Sequence, residues 1–547
     1  MCNGRVQPKP AQPSSRTPST ARESAKRLDI AKMAFLKIPE LNTRMGTYRA
    51  YHLAAIIFIS SFLAGYDSGV AGGILTYKPF IRDFSTGGAS AVSSLTVGLE
   101  QLGSFVAALV VYPITNKYGR KYTIIGSTAI FCIGVIIQVC PTKSLAAWYV
   151  GRIVAGIGMG GQSVVVPMYS AEMTPKEIRG QCGSFYQWLY TWGVFTAYWV
   201  DYGVAKNKHI ASHSAEWQIP VGLELVAIGI MLLGCFTLPE STRWLLTQGR
   251  NDEAWRALAW IRGDDGEGTR DEFNETQLGI RAEESARESF SFRELLEPAN
   301  RIRFFVGPTL FIFQNATGSS ALAVFGPQYF KLLVGSSGNR DLLLTGLFGA
   351  VKVIACSFFI WVLAERFGRR ALLTGGSALM AACMLVTALV VDEIPTESNA
   401  TVTNAGRAVV AMIYLDIMVY NCSWGPLPWA YAPEIFPTRI RAVGLATTML
   451  AHWATSFCFS FASPYMISNV GANTFLIFMG FDVLAAIFCF FFVRETRGKN
   501  LEVAAGTEWE VVEKSASDTE HGKQADIVDV HDTFGTNIKG LRGRRQG

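Results

Sequence analysis

Tyr118-Gly119-Arg120-Lys121 is a basic, glycine-containing pause between long apolar stretches, and it returns later in the chain as Phe367-Gly368-Arg369-Arg370. Working outward, the first copy is followed by Glu172-Met173-Thr174-Pro175, with Arg179 seven residues after the Glu. The second is followed by Glu434-Ile435-Phe436-Pro437, with Arg441 at the same offset. The two halves also end alike, in Glu240-Ser241-Thr242-Arg243 and Glu495-Thr496-Arg497. Helix capping and membrane topology use such residues singly, but neither requires their order to repeat. The repeat therefore points to two copies of one structural unit.

The stretches between these pauses are apolar and poor in charge, as in Leu53–Gly73, Tyr122–Cys140, Val221–Leu238, Ala371–Val391 and Thr474–Val493. Each is long enough to cross a bilayer as a helix of roughly 20 residues, and the whole chain reads as about twelve spans. Only 17% of the 547 residues are charged and 50% are hydrophobic, against about a quarter charged in a soluble domain. A large soluble protein is thereby set aside. The net charge of +6 reads through topology rather than nucleic acid. The basic clusters Lys117, Arg120, Lys121 and Arg366, Arg369, Arg370 are expected on the cytoplasmic side, and the acidic connection 392–404 on the other. The ten cysteines lack metal-type spacing and read as packing residues. No metal cluster, P-loop or nucleophile elbow supports an enzyme or a bound cofactor.

The expected fold is an all-α membrane protein. A disordered cytoplasmic tail (1–49) precedes a six-helix bundle (50–238). A charged cytoplasmic helical linker (239–302), a second six-helix bundle (303–494) and a polar cytoplasmic tail (495–547) follow. Two six-helix halves with paired punctuation make a rocking carrier, with substrate bound near the midplane between them.

At these residues the chain resembles the sugar porter family of the major facilitator superfamily, over nearly everything from Tyr48 to Leu501. Further matches are Gly65-Tyr66-Asp67 in span 1, Gly151-Arg152 in span 4, Pro239-Glu240-Ser241-Thr242-Arg243 after span 6, and Ser423-Trp424-Gly425-Pro426 in span 10. The look is nearest to fungal monosaccharide transporters and quinate permeases. The chain departs from the family pattern at Asn116, usually acidic, at Thr242, usually Pro, and across Gln314-Asn315-Ala316-Thr317-Gly318-Ser319-Ser320 in span 7. The resemblance implies proton symport of a pentose or hexose by alternating access, in the plasma membrane with both termini cytoplasmic. A quinate or uronic-acid permease and a sugar sensor are the alternatives. The partners implied are a small-molecule substrate and the lipid bilayer, with the proton as coupling ion.

Asp67 lies deep in span 1, where an ionised carboxylate is costly without a partner, and Arg152 in span 4 is the natural one. In the family the matching Asp takes the proton and the matching Arg responds; a static ion pair is the alternative. Glu100 and Asp416 are rival intramembrane acids. Sugar recognition needs amides for hydroxyl groups and an aromatic face for the ring. Gln187, Gln314, Asn315, Ser320 and Trp424 occupy family contact positions, and His452 stands where an amide is common. Lys352 in span 8 offers a possible anion contact. Arg120, Glu172, Arg179, Glu240 and Arg243 on one half, with Arg369, Arg370, Glu434 and Arg441 on the other, resemble the family's inter-helix salt-bridge lock.

Overall fold

The computed structural model describes residues 43–84, 90–175, 179–210, 213–288, 295–334, 340–364, 366–391, 404–437 and 440–496. Both tails beyond these limits and most of the acidic connection after span 9 fall outside the described residues. Twelve long apolar or mixed helices carry the fold. In chain order α1 is Arg44–Ile74, α2 Ser90–Tyr118, α3 Arg120–Val139, α4 Leu145–Met173, α5 Arg179–Lys206 and α6 Ala215–Phe236. In the second half α7 is Pro298–Ala316, α8 Arg340–Phe358, α9 Arg369–Val391, α10 Asn404–Cys422, α11 Arg441–Asn469 and α12 Thr474–Phe492. Helix α1 begins at Arg44, inside the stretch read as tail, because the Thr43 side chain accepts the Gly46 N–H and caps it.

Among the described residues, nine of the spans meet the length and apolarity a bilayer requires. The other three, α5, α7 and α11, are as long but more polar, carrying Gln187, Gln314, Asn315 and His452 among others. They are the helices on which sequence placed most of the substrate contacts, and polar side chains interrupt their apolarity there.

The repeat in the sequence is also a repeat of packing. Within the first half α1 packs on α5, α2 and α3 on α4, and α3 on α6. Within the second, α7 packs on α11, α8 and α9 on α10, and α9 on α12. The halves meet along two seams, α2 with α11 and α5 with α8. Small residues make the closest crossings possible. A Cβ on Gly156 or Gly160 of α4 would strike the backbone of Glu100 or Ser104 on α2.

Helices α7 and α10 are broken. After Ala316, Gly318 takes φ +79°, and the chain continues as the short helices Ser319–Val324 and Gly326–Val334. After Cys422, the Ser423-Trp424-Gly425-Pro426 turn leads into Leu427–Ile435. Between the halves, Asn251–Arg262 packs under α1, where Arg49 donates to the Trp260 carbonyl at 2.9 Å. At the end of the bundle away from this linker, the Tyr198 hydroxyl donates to the Ala323 carbonyl and Gly72 lies against the Val324 carbonyl. The halves are in contact there.

Candidate functional site

The first cluster lies inside the N-terminal half. Arg152 Nη1 donates to Asp67 Oδ1 at 2.7 Å and its Nη2 to Asp67 Oδ2 at 3.5 Å. The same Nη2 donates to Glu100, and Nε donates to the Thr96 carbonyl at 2.8 Å. All three charged side chains are at most 3% exposed. Glu224 of α6, a residue that sequence reading passed over, lies within the field of all three, and neither of its carboxylate oxygens has a hydrogen-bond partner among the described residues. Two acids thus hold one guanidinium, and a third lies within its field. The sequence signal for Glu224 was a lone acid in the apolar run Val221–Leu238; its direction on α6 is what gives it meaning.

The second cluster is built by the broken helices. Gln314 Nε2 donates to the carbonyls of Trp424 at 2.9 Å and Gly425 at 3.2 Å, so the amide satisfies backbone freed by the α10 break. Its Oε1 has no partner among the described residues. Asn315 Nδ2 donates to His452 Nδ1 at 3.2 Å, which brings two of the expected contact residues together. Ser320 is half-buried beside the Tyr420 side chain, while its neighbour Ser319 donates to Asp416 at 3.2 Å. Asp416 is therefore a second-half acid with its own hydroxyl partner, apart from the Arg152 cluster.

Trp424 requires a correction. Its side chain is fully enclosed and Nε1 donates to Ser377 Oγ at 2.6 Å, so it packs α10 against α9. The partly exposed aromatic of the segment is Trp429, whose ring stands edge-on to Phe311 at 5.0 Å and to His452 at 5.2 Å. The turn at Gly425-Pro426 resets the helical phase, so side-chain directions beyond it cannot be carried over from α10.

Gln187 is half-buried on α5 and makes no hydrogen bond to a described residue. Beside it Trp188 Nε1 donates to Ser357 Oγ across the seam at 2.8 Å. Lys352 is buried on α8 with no ion pair among the described residues, and its ammonium stands 5.6 Å above the Tyr190 ring. Tyr190 in turn lies beside Ser68, next to Asp67. Lys352 therefore faces the N-terminal half across one aromatic ring.

The linker-end network repeats almost atom for atom. Arg120 pairs with Glu172 through Nη2–Oε1 at 2.9 Å and Nε–Oε2 at 2.9 Å. Arg369 pairs with Glu434 at 3.4 Å. Glu240 does something else: its Oε1 accepts the backbone N–H groups of Arg120, Lys121 and Ser241 at 2.9, 3.0 and 2.8 Å. It caps the positive end of α3. Burial pushes its carboxyl above the usual range, while these N–H groups pull it back. Glu495 caps α9 in the same way, accepting from Arg369 N at 2.9 Å and Arg370 N at 3.3 Å. Glu495 was legible only as part of the repeated ending. The Arg370 guanidinium bonds the Phe490 carbonyl, and Arg441 Nε donates to the Phe436 carbonyl at 3.2 Å. Arg243 is engaged, and the Arg179 side chain lies outside the described residues. The Arg120–Glu172 and Arg369–Glu434 pairs each join helices of one half, not the two halves to each other.

The family model described as "Sugar (and other) transporter" matches residues 53–506. The chain is similar to the quinate permease of Emericella nidulans, 31% identical over 469 residues that cover 83% of this chain and 87% of the relative. It is similar to the quinate permease of Neurospora africana, 30% identical over 472 residues, 83% of this chain and 88% of that one. Among solved structures it is similar to the proton:xylose symporter XylE bound to 6-bromo-6-deoxy-D-glucose, with TM-score 0.70, 24% identity, and coverage of 84% of this chain and 99% of that one. The inward open xylose transporter XylE from E. coli gives TM-score 0.69 at 23% identity, covering 83% and 99%. These two likenesses concern the fold. With the repeated twelve-helix architecture and a family match over most of its length, the chain belongs to the sugar porter family of the major facilitator superfamily, a multi-pass membrane transporter.

Proposed function

We propose that the protein carries a monosaccharide, or a hydroxylated acid of similar size, across the membrane together with a proton by alternating access. The observation that carries this reading is the buried Asp67–Arg152 pair on α1 and α4. An arginine does not release its proton at physiological pH, so the titrating partner is the carboxylate. Protonation of Asp67 weakens its hold on Arg152 and frees α1 and α4 to move relative to each other. Substrate would bind between the halves, against Gln314, Asn315, His452 and Trp429 from the broken and polar helices. The linker end is the cytoplasmic one, by its basic clusters, and the plasma membrane is the expected site.

A second reading, transport of a quinate-like acid, is favoured by one observation, the buried Lys352 ammonium with no carboxylate paired to it among the described residues. A substrate carboxylate would supply that charge. The curated relatives named above are quinate permeases, which accords with it. The test is uptake of labelled glucose, xylose and quinate in yeast lacking its own hexose carriers, for the wild type and Lys352→Asn. Uptake of quinate lost selectively in the variant supports the acid reading, and equal loss for neutral sugars counts against it. No uptake of any of the three from correctly surface-localised protein would bring a sensor role forward.

A further inference from the structure

Arg152 is held unevenly. Helix α1 holds it through Asp67 alone, whereas α2 holds it twice, through the Thr96 carbonyl and the Glu100 carboxylate one turn further along. When Asp67 becomes neutral, α2 still retains the guanidinium. The charge therefore stays paired rather than being set loose in a low-dielectric interior.

This has a consequence for proton affinity. A carboxylate paired with an arginine alone gives up affinity for protons by about 1–3 pH units. Glu100 acts against that in two ways: it shares the positive charge, and its own negative charge lies beside Asp67. Among the described residues no other cation pairs with Glu100. It is 2% exposed, its Oε1 has no partner among the described residues, and the bare backbone of Gly156 presses against its own. The titratable groups facing it are Asp67 of α1, Arg152 of α4, Glu224 of α6 and Tyr190 of α5. On the neighbouring side of α2, Gln101 accepts a hydrogen bond from Ser456 of α11 at 3.0 Å, across the seam between the halves. The helix that keeps Arg152 is thus also one that joins the two halves.

We propose that Glu100 is a positioning residue for proton coupling: by holding Arg152 whether or not Asp67 is protonated, it sets the pH at which Asp67 takes up its proton. The inference rests on the symport reading above, and its test is chosen to fail separately from it. The full-length protein in lipid nanodiscs is titrated with pH while the infrared carbonyl band of protonated carboxyl groups is followed. The component missing in Asp67→Asn belongs to Asp67. In Glu100→Gln its midpoint moves toward acid by about one to two pH units, and Glu100→Asp, which keeps the charge, restores it most of the way. Glu224→Gln, lacking a bond to Arg152, shifts it less. Glu100→Ala replaces the Gln variant if that one does not fold. A midpoint unmoved in Glu100→Gln or Glu100→Ala overturns the proposal. So does a component that vanishes in Glu100→Gln and persists in Asp67→Asn, because the proton would then sit on Glu100. This titration needs no substrate, whereas failure of the symport reading would appear as absent proton movement during wild-type uptake of labelled xylose and quinate.

Discussion

Trp424 and Trp429 stand five positions apart in one segment, and the structure assigns them opposite fates under truncation. Trp424 is fully enclosed, so Trp424→Ala removes a whole indole from a packed interior and costs about 3–5 kcal/mol. The lost bond to Ser377 adds no more than about 1 kcal/mol, because Ser377 Oγ keeps its bond to the Leu373 carbonyl at 2.9 Å. Trp429 is only half-buried, against Phe311 and His452. Its truncation loses a smaller share of contact area, roughly half of that cost, but removes the aromatic beside Asn315 and His452. Both variants are made as fluorescent fusions, and melting temperature in detergent, surface yield and uptake of labelled substrate are measured together. Trp424→Ala should melt well below the wild type with reduced yield. Trp429→Ala should melt close to it with a raised apparent KM. A thermally normal Trp424→Ala with weakened substrate affinity, beside a Trp429→Ala that transports normally, would refute the assignment.

Other consequences concern the periphery. Gly119 has φ +95°, and a Cβ there would strike the Glu240 carboxylate, whereas Gly249, at φ +72°, has open space. Both alanine variants bear backbone strain of about 1–2 kcal/mol, but Gly119→Ala should lower the melting temperature further; equal losses would show that the Glu240 cap contributes little. Glu172→Gln breaks a two-point pair with side chains 11% and 10% exposed, Glu434→Gln a single 3.4 Å contact at 22% and 23%. The first should cost about 1–3 kcal/mol and the second less than about 1 kcal/mol, read by thermal unfolding; the reverse order would contradict the geometry. Asp83, in the short helix Lys78–Asp83, accepts from Trp217 Nε1 and Lys143 Nζ, each at 3.2 Å. Burial opposes its charge, yet bonds from Ser214, Trp217, Lys143 and Arg82 hold the carboxyl down to about 2. Its stabilising contribution is complete above the ordinary carboxylate range and is lost as pH falls through that value. Thermal stability of the wild type should drop in that window, and Asp83→Asn should flatten the drop.

Run length and charge were enough to read the two bundles, because a bilayer imposes a long apolar stretch on each span. They were weakest for α5, α7 and α11, where amides and His452 dilute the apolar signal. The paired Arg120–Glu172 and Arg369–Glu434 contacts were legible because helix ends concentrate their charges in short, repeated strings. That Glu240 and Glu495 also cap helices was not, since the backbone groups they accept from lie more than a hundred residues away. Asp67 and Arg152 stood out as charges with no business in lipid unless paired. Glu224 is equally out of place, but only the rotation of α6 shows that it faces them. Trp424 was taken from the resemblance alone, and that its ring turns inward onto Ser377 shows only in the direction of the side chain.

The proposed coupling joins inward movement of substrate to a proton taken up by Asp67. Purified protein in liposomes, with a pH gradient imposed, tests it most directly by the accumulation of labelled quinate and xylose. Concentration of one of them inside above its outside level is expected, collapsing with a protonophore and absent in Asp67→Asn, which should still exchange substrate between the two sides. Accumulation that persists in Asp67→Asn, or wild-type transport that only equilibrates whatever the gradient, would contradict the account.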